Sequence, residues 1–207
     1  QDIFFCNEHG EDYLMLQSPA GVYTIANVPW SEQNCYDAMS VDYNNDGVND
    51  LITINDQIFL GSRVHIRMNR GSDPPTWFDD YMRGGTRAFP RLGILSDFNN
   101  DGFIDLIVAG THATPALGDD CDLFINPGVF DTHWTLGTNP CAAITLPRET
   151  VRGGIALDAN SDGITDDIYL TTNGKANYLF QQNSGVWTAN TDASGPGDPG
   201  DEKQTHG

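Results

Sequence analysis

Short apolar runs, rich in β-branched and aromatic residues, alternate with polar turns along this chain. Three of them directly follow an acidic stretch that contains a glycine, at residues 51–54, 106–109 and 168–170. Another short apolar run precedes each acidic stretch. Short runs of this composition, bounded by turn-forming residues, are typical of β-strands. The pattern therefore predicts three strand–loop–strand hairpins.

A longer repeat surrounds each hairpin. A third apolar run that ends near an Asn and a Gly follows at residues 65–71, 122–128 and 178–185. A fourth run begins at an aromatic residue, and these residues are Trp77, Trp134 and Trp187. Four short strands per unit, repeated along the chain, are typical of β-propeller blades. The sequence predicts an all-β fold of β-propeller blades, each with four antiparallel strands.

The blade pattern also predicts the domain organisation. Residues 1–29 match a blade that lacks its first strand, and complete blades are expected at 36–82, 91–138 and 152–190. The propeller segment then covers residues 1–190, and residues 191–207 are a Gly/Pro/acidic linker or tail. About three and a half blades leave exposed sheet edges. We expect the segment to be part of a larger ring, and the alternative is that another chain completes it.

The three acidic stretches share a nine-residue pattern. They read DYNNDGVND at residues 42–50, DFNNDGFID at 97–105 and DANSDGITD at 158–166. Each has an oxygen-bearing side chain at positions 1, 3, 5 and 9, and a glycine at position 6, which accepts backbone angles that other residues resist. With the carbonyl of position 7, these oxygens suit a hard cation, and Ca²⁺ fits better than Mg²⁺, which demands a stricter octahedron.

Two other interpretations of the loops are less favourable. Asp, Asn and Gly also favour simple hairpin turns, but a turn does not require a carboxylate at position 9 in every copy. An EF-hand loop requires Glu at position 12 and flanking helices. Position 12 is instead Thr53, Val108 and Tyr169, each within a predicted strand. The sequence thus predicts three calcium sites, one in the first hairpin of each complete blade.

Composition indicates an extracellular chain. The formal net charge is −19, with 10 Lys and Arg against 29 Asp and Glu, so nucleic acid is not an expected partner. No apolar run is long enough to span a bilayer, so membrane insertion is not expected. Four cysteines without C-x-x-C spacing favour two disulfides in a secreted protein over a zinc site. Three pairings are possible; we predict Cys6–Cys35 and Cys121–Cys141, and four buried free thiols are the alternative.

The loops resemble a known repeat family. They are similar to the FG-GAP/VCBS repeat of integrin α-subunit-like propellers, in which a D-x-N-x-D-G-x-x-D loop followed by Leu or Ile lies in a strand hairpin. The F-G and G-A-P motifs of that family are poorly kept in this chain. The resemblance covers the chain up to Asn190 and implies Ca²⁺ ligands at positions 1, 3, 5, 7 (carbonyl) and 9. These are Asp42, Asn44, Asp46, Val48 and Asp50; Asp97, Asn99, Asp101, Phe103 and Asp105; and Asp158, Asn160, Asp162, Ile164 and Asp166.

The remaining residues do not suggest catalysis. The histidines are scattered and form no catalytic or phosphate-binding motif, so we predict surface or hairpin positions for His9, His65, His112, His133 and His206. The repeated tryptophans are predicted core residues, whereas Trp30 lies outside the repeat and is a candidate exposed contact. Arg91 and Arg152 each precede a loop by six residues and are expected to link neighbouring blades.

These observations predict a secreted or cell-surface calcium-binding propeller that is not an enzyme. Its expected role is structural, in adhesion or in ligand recognition, because a fully coordinated ion has no open position for catalysis. The expected partners are a protein or glycan ligand, or further blades or chains that complete the ring. The alternatives are a lectin-like carbohydrate-binding propeller and the propeller domain of a polysaccharide-active enzyme.

Overall fold

The computed structural model describes residues 2–26, 34–55, 63–69, 71, 77–82, 87–112, 119–128, 134–143, 151–172 and 177–190. The predicted tail at 191–207 and residues Trp30, His133 and His206 lie outside them. The described strands form four small antiparallel sheets, in which strands adjacent along the chain are hydrogen-bonded neighbours. The all-β prediction is confirmed, and the closure of these sheets into a propeller stays a prediction.

The first sheet has three strands, and each of the others has four. The first sheet contains β1 (Ile3–Phe5), β2 (Tyr13–Gln17) and β3 (Tyr23–Ala26). The second contains β4 (Cys35–Val41), β5 (Asp50–Asn55), β6 (Arg63–Asn69) and β7 (Trp77–Met82). The third contains β8 (Arg87–Ser96), β9 (Asp105–His112), β10 (Asp119–Ile125) and β11 (Thr135–Leu136). The fourth contains β12 (Val151–Leu157), β13 (Asp167–Thr172), β14 (Tyr178–Asn183) and β15 (Val186–Asn190).

The inner strands are apolar because they are covered on both faces. In β9, Leu106 and Val108 belong to a core shared with the second sheet, whereas Ile107 and Ala109 belong to a core shared with the fourth. Successive strand residues point to opposite faces, so one strand contributes to both cores. This explains why residues 106–109 form a continuous apolar run rather than an alternating one.

Two glycines explain how closely the sheets approach. Gly93 and Gly154 lie four residues before the first Asp of their loops and face the preceding sheet. A Cβ atom on Gly154 would lie 2.7 Å from Ile94 Cδ1 and 2.8 Å from Leu170 Cδ2. A Cβ on Gly93 would meet the side chain of Met39. Packing between sheets therefore favours a small residue at these two positions.

The predicted disulfide pairing is confirmed, and the free-thiol alternative is wrong. Cys6–Cys35 connects the first and second sheets, with 5.2 Å between the Cα atoms. The amide of Cys35 also donates to the carbonyl of Asn7 at 3.2 Å. Cys121–Cys141 connects β10 to a short 3-10 helix at Pro140–Ala143.

Within the described residues, no helix has the length and apolar character needed to cross a membrane.

Replacing Gly154 with Val is expected to lower the free energy of unfolding by about 1–3 kcal/mol, because the added atoms overpack the contact with Ile94. Chemical denaturation followed by tryptophan fluorescence measures this change. The control is Ile155→Val, on the opposite face, where the side chain is 58% exposed and a change within about 0.5 kcal/mol is expected. Equal stabilities for the two variants would contradict the packing argument.

Candidate functional site

The first carboxylate of each loop organises the turn. Asp42 Oδ1 accepts a hydrogen bond from the amide of Asp46 at 3.0 Å, and Asp42 Oδ2 accepts one from Gly47 at 2.8 Å. Asp97 accepts the equivalent bonds from the amides of Asp101 at 3.0 Å and Gly102 at 2.7 Å. Asp158 accepts them from the amides of Asp162 at 3.1 Å and Gly163 at 3.0 Å. The same side chain thus holds the backbone at positions 5 and 6 in all three loops.

The side chains at positions 3 and 5 hold each other. Asn44 Oδ1 accepts from the amide of Asp46 at 3.1 Å, and Asn44 Nδ2 donates to Asp46 Oδ2 at 2.9 Å. Asp46 Oδ1 accepts from the amide of Val48 at 2.9 Å. The same three bonds recur in the second and third loops. Positive φ angles at positions 4 and 6, for example 56° at Asn45 and 86° at Gly47, allow this tight turn.

In the first two loops, the carboxylate at position 9 joins the loop to the third strand of its own sheet. Asp50 Oδ2 accepts from the amide of Tyr43 at 3.0 Å, and Asp50 Oδ1 accepts from Asn69 at 2.7 Å. Asp105 makes the same two bonds, with Phe98 at 3.0 Å and Asn126 at 2.8 Å.

The third loop gives this role to Asp167 rather than to Asp166. Asp167 Oδ1 accepts from the amide of Gln182 at 2.8 Å, and Oδ2 accepts from Ala159 at 2.8 Å and Asn160 at 3.0 Å. Strand register agrees, because Asp167 pairs with Leu157, just as Asp50 pairs with Val41 and Asp105 with Ser96. The third loop is therefore one residue longer than the nine-residue pattern.

Sequence reasoning did not select Asp167 as a site residue. The available signal was the Asp166–Asp167 pair, since the apolar run starts immediately after position 9 in the other loops but two residues after it here. The assignment of Asp166 as a ligand stays a prediction, as do the other fourteen ligand assignments. The structure shows that the residues at positions 1, 3 and 5 of each loop are held together by hydrogen bonds.

Burial destabilises the charged form of several loop carboxylates and so raises their pKa values. Burial raises the pKa of Asp105 to about 6 in spite of its two backbone hydrogen bonds. Burial is the main cause that raises the pKa of Asp166 to about 6, and the negative charges of Asp162 and Asp167 nearby raise it further. Asp166 is only 4% exposed, and its Oδ1 atom has no hydrogen-bond partner in the structure. A bound cation would offset this desolvation and repulsion.

Each of the first two loops is also attached to the next sheet through its second residue. The rings of Tyr43 and Trp134 stack with 5.2 Å between their centroids. The indole Nε1 of Trp134 also donates a hydrogen bond to Tyr43 Oη at 2.7 Å. Asn126 Nδ2 donates to the carbonyl of Tyr43 at 3.1 Å. In the second loop, Phe98 contacts Trp187, and Gln182 Nε2 donates to the Phe98 carbonyl.

These contacts decide two earlier predictions. Trp134 and Trp187 are buried, as predicted for core residues. The side chain of Trp77 lies outside the described part of the chain.

A pocket of about 440 Å³ lies between the third and fourth sheets, beside the second and third loops. Its wall includes Asn99 and Asn100 from one loop, and Asp162 and Asp166 from the other. Trp187 contributes an apolar wall. The buried carboxylate of Asp166 therefore shares one cavity with the position-5 carboxylate of its own loop.

Predictions for the histidines and arginines have mixed outcomes. His9 is exposed, whereas His65 is buried in β6, which pairs with β5 and β7, so His65 occupies a hairpin position and not a surface one. The side chain of His112 lies outside the described residues. The guanidinium of Arg91 lies 5.3 Å from the ring centroid of Tyr36, so Arg91 links the third sheet to the second. Arg152 donates to the carbonyl of its neighbour Val151 at 3.2 Å.

Nothing in the described part of the chain points to catalytic activity. Among these residues, no group of three or more His, Cys, Asp or Glu side chains is arranged so that it could hold a metal ion. A cation site in these loops would therefore need mixed donors, with an Asn amide oxygen and a backbone carbonyl beside the Asp carboxylates. Comparisons with protein-family models and with curated proteins found no match for this chain.

Asp167→Ala is expected to lower the free energy of unfolding by roughly 2–4 kcal/mol in chelator, because three backbone amides lose their acceptor. Asp166→Ala is the matched control, one residue away, and we expect a much smaller loss because its Oδ1 atom accepts no hydrogen bond. Urea denaturation of both variants measures the difference. A larger loss for Asp166→Ala would contradict the assignment of the structural role to Asp167.

Lowering the pH from 7 towards 4 in chelator is expected to stabilise the protein through Asp105. Its pKa in the folded state, about 6, exceeds the usual 3.8, so the folded state binds the proton more tightly. This contribution is fully present below about 3.8 and is lost as the pH rises through about 6. Asp105→Asn removes the titrating group while the other acids remain, so its denaturation profile should depend less on pH. Identical pH profiles would contradict the prediction.

Proposed function

We propose that this chain is a calcium-stabilised structural module of an extracellular β-propeller, in which bound ions stiffen the loops that join successive sheets. The observation that carries this proposal is the threefold repetition of one hydrogen-bonded loop, with oxygen-bearing side chains gathered at positions 1, 3 and 5. Three unrelated turns would not be expected to repeat the same bonds together with buried carboxylates.

The donor chemistry of the loops fits Ca²⁺. Each loop offers carboxylates, a side-chain amide oxygen and a carbonyl, all hard oxygen donors. In the first loop, Asn44 Nδ2 donates a hydrogen bond to Asp46 Oδ2 at 2.9 Å. Bound Ca²⁺ would bring a positive charge to the loop carboxylates and offset repulsion among Asp42, Asp46 and Asp50. Magnesium remains the weaker candidate because it requires stricter geometry.

The position of the loops explains how an ion could affect the whole module. The second residue of the first loop, Tyr43, is bonded to Asn126 and Trp134 of the next sheet. The last residue, Asp50, is bonded to Asn69 of its own sheet. A cation that orders the loop therefore strengthens contacts within one sheet and between two sheets. This supports a structural role for the ions.

The sheets and disulfides support the rest of the proposal. Four successive antiparallel sheets, three of them four-stranded, match the blades expected from the FG-GAP/VCBS resemblance. Two disulfides are typical of proteins outside the reducing cytosol. Extracellular calcium is abundant enough to fill loops of modest affinity. We therefore propose a secreted or cell-surface location.

Removing calcium from all three loops with chelator is expected to lower the melting temperature by roughly 15–30 °C, because each ion stabilises the folded state by about 2.7 kcal/mol at a hundredfold excess over its Kd and each kcal/mol shifts the melting temperature by about 2–4 °C. Asp46→Ala should reduce this calcium-dependent shift. Asn49→Ala, an exposed position-8 change in the same loop, should preserve it. Differential scanning calorimetry with calcium, magnesium or chelator provides the measurement. Unchanged melting in all three conditions would refute structural calcium.

A further inference from the structure

We infer that the third loop holds its divalent cation more tightly than the other two, because Asp166 supplies a buried carboxylate whose Oδ1 atom has no hydrogen-bond partner. This inference rests on the proposed calcium function and concerns the ranking of the three sites. It begins with the one-residue extension that places Asp167, and not Asp166, at the start of β13.

The carboxylates that end the first and second loops are already engaged by the protein. Both oxygens of Asp50 accept backbone hydrogen bonds, at 3.0 and 2.7 Å, and both oxygens of Asp105 do so at 3.0 and 2.8 Å. Each of these oxygens has to serve a cation and a backbone amide together. The last carboxylate of these loops is thus shared between structure and ligation.

The third loop separates the two duties. Asp167 accepts three backbone hydrogen bonds and holds the loop to β14. Asp166 is 4% exposed, and its Oδ1 atom is buried without a hydrogen-bond partner. A desolvated carboxylate oxygen without a donor is unfavourable in a folded protein unless a positive charge or a hydrogen bond satisfies it.

The location of Asp166 indicates what satisfies it. Asp166 lines the same cavity as Asp162 and Ile164, the predicted ligands at positions 5 and 7. None of the residues that line this cavity is Lys, Arg or His. Each loop has three predicted Asp ligands, at positions 1, 5 and 9, so the number of ligand charges does not rank the sites. The difference is that Asp166 Oδ1 has no hydrogen-bond partner, whereas both oxygens of Asp50 and of Asp105 already accept backbone amides, so the third site should bind first.

Loop glycine amides allow each site to be followed separately. The amides of Gly47, Gly102 and Gly163 donate to the first Asp of their own loops, at 2.8, 2.7 and 3.0 Å. Their ¹H–¹⁵N resonances should therefore report calcium binding loop by loop. In a calcium titration of the wild-type chain, the Gly163 signal is expected to reach half-saturation at a concentration at least about threefold lower than the other two. This measurement needs no variant.

Asp166→Asn then tests the residue itself. It should raise the half-saturation concentration for Gly163 about tenfold, and leave those for Gly47 and Gly102 unchanged. Thr165→Ala, an exposed change beside it, should alter none of the three. Equal midpoints in the wild type, or an unchanged Gly163 midpoint in Asp166→Asn, would overturn the inference while the calcium function survives. If none of the three glycines responds to calcium, the proposed function fails and the inference fails with it.

Discussion

The architecture depends on one buried carboxylate at the start of the second strand of each complete sheet. Asp50, Asp105 and Asp167 each accept backbone amides from the loop before them and from the third strand of the same sheet. Without this acceptor, buried donors on both elements would be left unsatisfied. The hydrogen bonds thus define where the loop ends and where the strand begins.

Contacts between sheets follow from the same loop geometry. Because the last carboxylate fixes the backbone at position 2, the aromatic side chains of Tyr43 and Phe98 are placed against the next sheet. There they meet Trp134 and Trp187, while side-chain amides bond their carbonyls. Gly154 allows the strand before the loop to pack closely on the preceding sheet. The loops are therefore part of the core packing as well as potential ion sites.

The electrostatics of the loops give the physical reason for proposing a cation as their ligand. Buried carboxylates near one another resist ionisation, which is why the pKa of Asp105 and that of Asp166 are both raised to about 6. The chain carries a formal net charge of −19, so the rest of the surface offers little compensation. Divalent cations would remove both the local and part of the global repulsion. Under the proposed calcium function, ion binding would therefore be coupled to stability.

The sequence by itself determined the strand order and the positions of the three loops, because these follow from apolar runs and a repeated local pattern. The cysteine count predicted two disulfides but left three pairings open, and only the folded chain shows which cysteines meet. It could not determine that Asp167 replaces Asp166 at the start of β13. Strand register is decided by pairing with Leu157 and Gln182, which are distant along the chain. It also gave no sign that His65 is buried, since burial of a polar strand residue depends on what covers that face of the sheet.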